Sequence, residues 1–344
     1  MSSLYASTRA RVKKGYLITK EILEGLIEQK TINDALDILK STDYKKEIAE
    51  ISPDFKLIDI EHALRRNLIR HFTEIIIASN YSPIILAYFY KYLLHNLKVV
   101  LKGKALKKTY SELYNSIILD AEAFLGRRDT IIKVLEEATL EDAISILSKY
   151  EFGKTIQEAY NLYREKKNLN IFDIYFDKLY INNIVSSLNK INLQDAKACR
   201  DIVGAEIDFY NILAILRAKY LGLDVGFQRE IIVPKIFFIS EEILNSLITS
   251  EEIENCFQIL KNTKYSQLIT EEVKTREDLP NLEKQFKVYI YKISLSKFLT
   301  GSNSLDVVIA FIKLKEIEVQ NLITIIFGIK NGIKPSEIYK LLIL

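Results

Sequence analysis

The nearest approach to a phosphate-binding loop in the 344 residues is FGKT, Phe152 to Thr155. A nucleotide-binding P-loop needs a glycine five places before Gly153, and Ser148 stands there. The three histidines, His62, His71 and His95, have neither HExxH nor paired ligand spacing, and Cys199 and Cys256 form no CxxC pair. Adjacent acids such as Glu136 with Glu137, Glu251 with Glu252 and Glu271 with Glu272 point in different directions on a helix and cannot share one substrate. No aspartate-rich cluster of the kind that holds magnesium in helical prenyl-transfer enzymes occurs. The residues therefore predict neither catalysis nor a metal or cofactor, and both cysteines read as small core residues.

Charge narrows the partners. The 48 basic and 45 acidic side chains are spread along the whole chain, without the concentrated excess of a nucleic-acid footprint. One local basic run, Arg9, Arg11, Lys13 and Lys14, could meet anionic lipid heads or acidic partner helices, or simply be solvated. The opening segment is polar and basic where a secretory signal would be apolar, so a cytosolic location is expected. The apolar stretch from Phe72 to Leu94 is interrupted by Glu74, Asn80, Ser82, Pro83 and Lys91, short of the roughly 18 apolar residues of a spanning helix.

The elements behind these residues are helical. With 49% hydrophobic residues but only 11 Gly and 5 Pro, the chain lacks the turn formers of an all-β fold. It also repeats itself. TINDALDILKSTDYKKEI from Thr31 aligns without a gap on TLEDAISILSKYEFGKTI from Thr139 and EIENCFQILKNTKYSQLI from Glu252. In each copy apolar residues recur at helical spacing: Ile32, Ala35, Leu36, Leu39; Leu140, Ala143, Ile144, Leu147; Ile253, Cys256, Phe257, Leu260. Thr31 and Thr139, each with an aspartate three residues on, predict N-caps that the third copy lacks. An aromatic follows each helix, Tyr44, Phe152 or Tyr265, and is expected in the core.

A second anchor recurs downstream: Asn96 begins NLKVVLKGK, Asn211 begins NILAILRAK, and Asn321 begins NLITIIFGI. The next-to-last place of each run is small, Gly103, Ala218 or Gly328, suited to close helix approach or left-handed closure. A softer match, IEHALRRNL from Ile60, IFDIYFDKL from Ile171 and NLEKQFKVY from Asn281, predicts a third helix in each copy. The expected organisation is all-α, with three tandem helical-bundle repeats over residues 1–112, 113–224 and 225–344.

These anchors carry a resemblance. AEIDFYN from Ala205 followed by ILAILRAK resembles the E-x-D-x-x-N signature of the family formed by the C and d subunits of rotary ATPases. YASTRARV from Tyr5, YLLHNLKVVLKGK from Tyr92 and AFIKLKEIEVQNLITIIFG from Ala310 resemble other segments of that family, in its archaeal A-type ATP synthase form. The resemblance implies a pseudo-threefold funnel. It also implies a non-catalytic central-stalk adaptor, peripheral at the cytoplasmic face, whose partners are the D and F subunits of the stalk and the membrane proteolipid ring. The competing readings are a helical-repeat scaffold for unrelated partners and, behind it, a helical enzyme without recognisable motifs. Candidate interface or repeat-seam residues are Arg9, Arg11, Asn96, Glu206, Asp208, Asn211, Glu316, Glu318 and Asn321. Glu206 and Asp208 precede Asn211 as Glu316 and Glu318 precede Asn321, but Lys91 and Leu93 hold those places before Asn96. The acids could form a shared socket rim, or each Asn could simply bond a neighbouring helix end or carbonyl.

Overall fold

The computed structural model describes residues 2–271, 273–299 and 303–344, so Glu272 of the acidic pair Glu271 and Glu272 lies outside the described residues. Among the described residues there are helices and no strand. In chain order they are α1 (Ser2–Lys14), α2 (Lys20–Ile27), α3 (Ile32–Leu39), α4 (Lys45–Ala49), α5 (Leu57–Ala78) and α6 (Pro83–Ala105). Next come α7 (Tyr110–Tyr114), α8 (Leu119–Phe124), α9 (Arg128–Glu136), α10 (Leu140–Leu147), α11 (Gly153–Lys166) and α12 (Asn170–Leu188). The last are α13 (Leu193–Tyr220), α14 (Val225–Ile231), α15 (Glu241–Thr249), α16 (Ile253–Leu260), α17 (Leu279–Lys297), α18 (Leu305–Lys330) and α19 (Pro335–Leu341).

The three aligned segments form the equivalent helices α3, α10 and α16. Thr31 and Thr139 cap the first two by accepting the N–H of Asp34 (3.2 Å) and Asp142 (3.1 Å), whereas Glu252 makes no side-chain cap on α16. The predicted apolar faces are the buried ones, apart from Ile32 at the start of α3, and Tyr44, Phe152 and Tyr265 are buried behind them. The softer third match falls on the long helices α5, α12 and α17.

The chain divides into two compact units. One comprises Met1–Ser82, Leu193–Ile202 and Lys287–Leu344, the other Pro83–Asn192 and Val203–Phe286. In the first, α18 packs against α1, α2, α3 and α5. In the second, α6 packs against α7, α8, α10 and α12. Helix α6 is long and apolar enough to cross a membrane by length and composition, yet two thirds of its apolar window is buried inside the protein.

The helices bearing Asn96, Asn211 and Asn321 end alike. Backbone N–H groups of Lys108, Leu223 and Ile333 return to the carbonyls of Gly103, Ala218 and Gly328, each at 2.9 Å, in the Schellman pattern. Of the two uses the sequence left open for the small residue, left-handed closure is not the one found. It comes four places later, at Lys107 (φ 56°), Gly222 (φ 67°) and Gly332 (φ 63°). The small residue serves close approach instead: a Cβ on Gly103 would stand 2.1 Å from Leu113 Cδ2, and one on Gly328 2.6 Å from Ile338 Cδ1.

Candidate functional site: asparagine clasps and buried acids

Each of the three asparagines grips one backbone residue 22 places further along the chain. Asn96 Nδ2 donates to the Ile118 carbonyl (3.1 Å), and its Oδ1 accepts the Ile118 N–H (2.7 Å). Asn211 does the same to Val233 (3.0 and 2.8 Å), and Asn321 to Ile343 (2.9 and 3.0 Å). A carboxamide suits this task because it offers a donor and an acceptor side by side, matching the two backbone groups of one residue. All three are buried, so a loop whose backbone polar groups would otherwise lack partners is pinned to the long helix. The remaining Asn96 donor reaches Glu122 Oε1 (3.0 Å), while that of Asn211 reaches the Lys235 carbonyl (3.2 Å). Burial pushes the Glu122 carboxyl up to about 7 against the opposing pull of the Asn96 hydrogen bond.

The acid three places before the asparagine has a matching partner in the buried aromatic. Asp208 accepts the Tyr265 hydroxyl (2.9 Å) and the N–H groups of Phe237 (2.9 Å) and Phe238 (2.8 Å). Glu318 accepts the Tyr44 hydroxyl (2.7 Å), the Lys315 ammonium (2.7 Å) and the Ile18 N–H (2.5 Å). Before Asn96 that place is held by Leu93, and the corresponding aromatic is Phe152, with no hydroxyl to satisfy; both lie in one apolar cluster. Acid goes with Tyr and Leu with Phe, which accounts for the acid missing from the first copy. Burial raises the Asp208 carboxyl despite its hydrogen bonds, and it pushes the Tyr44 hydroxyl far up, with Glu318 adding to the effect.

Asp208 and Glu318 are thus interior groups, not an exposed rim. Glu206 receives the Tyr88 hydroxyl, and Glu316 faces Lys313 at 3.6 Å. Arg9 is exposed on α1, while Arg11 donates to the Phe298 carbonyl (3.2 Å) and lies over its ring.

Two further features were not singled out in the sequence, although the lysine of the first recurs in the aligned asparagine runs. Lys104 Nζ donates to the Leu135 (2.7 Å) and Glu137 carbonyls, and Lys219 Nζ likewise to those of Ile248 (2.8 Å) and Ser250. Each lysine stands eight places after its asparagine. The first unit also buries a charged network. Lys13 Nζ lies 2.9 Å from His71 Nδ1, and an ammonium can only donate, so His71 is neutral and its Nε2–H points to Asp43 Oδ2 at 2.5 Å. Arg70 ties Asp43 (3.0 Å) to Glu47 (2.8 Å), and Lys13 also pairs with Glu74. Burial, together with the nearby Lys315 and Lys13 charges, lowers the His71 imidazole against the pull of Asp43. Burial would raise the Asp43 carboxyl, but His71, Asn67 and Arg70 hold it far below the usual range.

No group of three or more His, Cys, Asp or Glu among the described residues is arranged to hold a metal. Both cysteines are buried and free. Gly153 of FGKT is explained by packing: a Cβ there would stand 2.1 Å from the Ser148 carbonyl oxygen. The polar groups of these clusters bond mainly to one another and to backbone, an arrangement that fixes loops to helices.

The family model described as ATP synthase (C/AC39) subunit matches residues 6–341, including all three clasp asparagines. The chain belongs to this family. Among its relatives, the C subunit of the A-type ATP synthase of Methanocaldococcus jannaschii is 26% identical over 98% of this chain and 86% of that protein. The corresponding subunit of Methanococcoides burtonii is 26% identical over 94% of this chain and 89% of its own length. That of Haloquadratum walsbyi is 24% identical over 97% and 96%. The family resemblance read from AEIDFYN and its companion segments is therefore correct.

Proposed function

We propose that this chain is a non-catalytic central-stalk component of an A-type rotary ATP synthase. In this reading it joins the proteolipid rotor ring to the D and F subunits and passes torque between them, at the cytoplasmic face of the membrane and bound through its partners. The ring would be driven by protons or sodium ions, for ATP synthesis or hydrolysis. The observation that carries the reading is the family match over residues 6–341, because it covers nearly the whole chain and not one motif. The clasps agree with it: a coupler must resist twisting, and buried double hydrogen bonds between long helices and the loops beyond them stiffen each helix end.

The three-copy organisation over 1–112, 113–224 and 225–344, arranged as a pseudo-threefold funnel, belongs to the same proposal. Within it Asn96, Asn211, Asn321, Asp208 and Glu318 are seam residues that hold each copy together. The partner-facing groups are to be sought at Arg9 and Arg11 and near Glu206 and Glu316. Cross-linking mass spectrometry on the native membrane complex tests this. Cross-links from the chain to both the D and F subunits and the proteolipids are expected, and cross-links to peripheral stator proteins alone would overturn it.

A further inference from the structure

A groove of about 510 Å³ in the second unit collects five cations: Lys104, Lys107 and Lys108 from the end of α6, and Arg164 and Lys167 from the end of α11. Its one acid, Glu141, is already engaged by the Tyr160 hydroxyl at 2.6 Å. Lys104 is held by two carbonyls, but among the described residues Lys107, Lys108, Arg164 and Lys167 form no ion pair and are exposed. Cations near a helix C-terminus are favoured by the helix dipole, and that accounts for Arg164 in the last turn of α11.

It does not account for Lys107 and Lys167. Both hold left-handed backbone conformations, with φ of 56° and 54°, that a lysine adopts only at a conformational cost. At the places equivalent to Lys107 the chain uses Gly222 and Gly332, for which that conformation carries no such cost. Two strained lysines thus line the same groove. Strain retained where glycine would relieve it marks a site with another task.

We propose that this groove binds a multiply charged phosphate group. The cations come from two separate helix ends and line one concavity, a cluster that suits a compact polyanion better than the line of charges along an acidic peptide. Concave clustering of one charge sign also strengthens the local field. The phosphate could be a soluble polyphosphate or the headgroup of an anionic phospholipid.

The test titrates the full chain with tripolyphosphate by calorimetry, beside co-sedimentation with vesicles of phosphatidylglycerol or of phosphatidylcholine alone. Micromolar binding that weakens steeply with salt is expected. The Lys107→Gly/Lys167→Gly variant should bind at least about tenfold more weakly, with an unchanged or raised Tm because glycine relaxes both turns. Arg164→Gln provides a second variant that leaves the turns intact and should also weaken binding. Groove-dependent sedimentation with phosphatidylglycerol vesicles, but no tripolyphosphate binding, would identify the headgroup as the source of the phosphate. The proposal is overturned if neither ligand binds at millimolar concentration, if the variants bind like wild type, or if polyglutamate displaces tripolyphosphate by binding more tightly.

Discussion

Replacing Asn321 with Leu removes both hydrogen bonds to Ile343 and leaves a buried N–H and a buried carbonyl without partners. At about 1–3 kcal/mol for each unpaired buried group, the expected loss is about 2–6 kcal/mol. The same clasp can be broken from its other end by deleting Ile343 and Leu344. That also exposes the apolar surface around Ile343, itself only 2% exposed, and should cost about 3–5 kcal/mol in all. The two changes share one interaction, so in the shortened chain Asn321→Leu should cost close to nothing, a coupling of at least about 2 kcal/mol. The chain has no Trp, so the readout is urea unfolding followed by far-ultraviolet circular dichroism on the four proteins of the cycle. Additive losses would refute the clasp, because they would mean that Asn321 and Ile343 stabilise the fold independently.

Other expectations follow from the same contacts. The Glu122 carboxyl is raised from 4.5 to about 7, so its folded form holds the proton more tightly than the unfolded chain; stability should therefore fall as pH rises from about 4.5 to 7. The loss is on the order of 3 kcal/mol, and Glu122→Gln should flatten that part of a Tm against pH curve; an unchanged slope would show that Glu122 is not its source. His71 is shifted the other way, held neutral below its ordinary 6.5, so acidification below that value should destabilise the first unit as the unfolded chain takes up the proton. His71→Gln should weaken that dependence in the same curve. Phe152→Tyr would bury a hydroxyl beside Leu93, which offers no acceptor, and should cost about 1–3 kcal/mol in urea unfolding; a neutral result would undo the pairing rule of acid with Tyr and Leu with Phe.

The sequence showed which residues would be buried and which would recur, because hydrophobic spacing and self-alignment are properties of side chains alone. Leu39, Leu147 and Leu260 are buried at equivalent places for that reason. The asparagines stood out by recurrence, but their task did not, because each grips a backbone group and backbone carries no sequence signal. The link between Tyr44 and Glu318 spans 274 positions and joins the first aligned segment to the last asparagine helix, so alignment of the copies alone could not bring the two together. Gly103 and Gly328 left two uses open for a physical reason: glycine serves both close approach and left-handed turns, and here it serves the first. The turn after Gly103 is made by Lys107, a residue type that gives no warning of positive φ.

A chain that couples a rotor shaft to a membrane ring, without catalysing a reaction, must hold that shaft. The most direct measurement mixes the purified chain with the D and F subunits of the stalk and determines mass and stoichiometry by size-exclusion chromatography with light scattering. A stable complex with one copy of each protein at micromolar concentration is the expected result. Separate elution of the chain and the D–F pair at that concentration would contradict the coupling role.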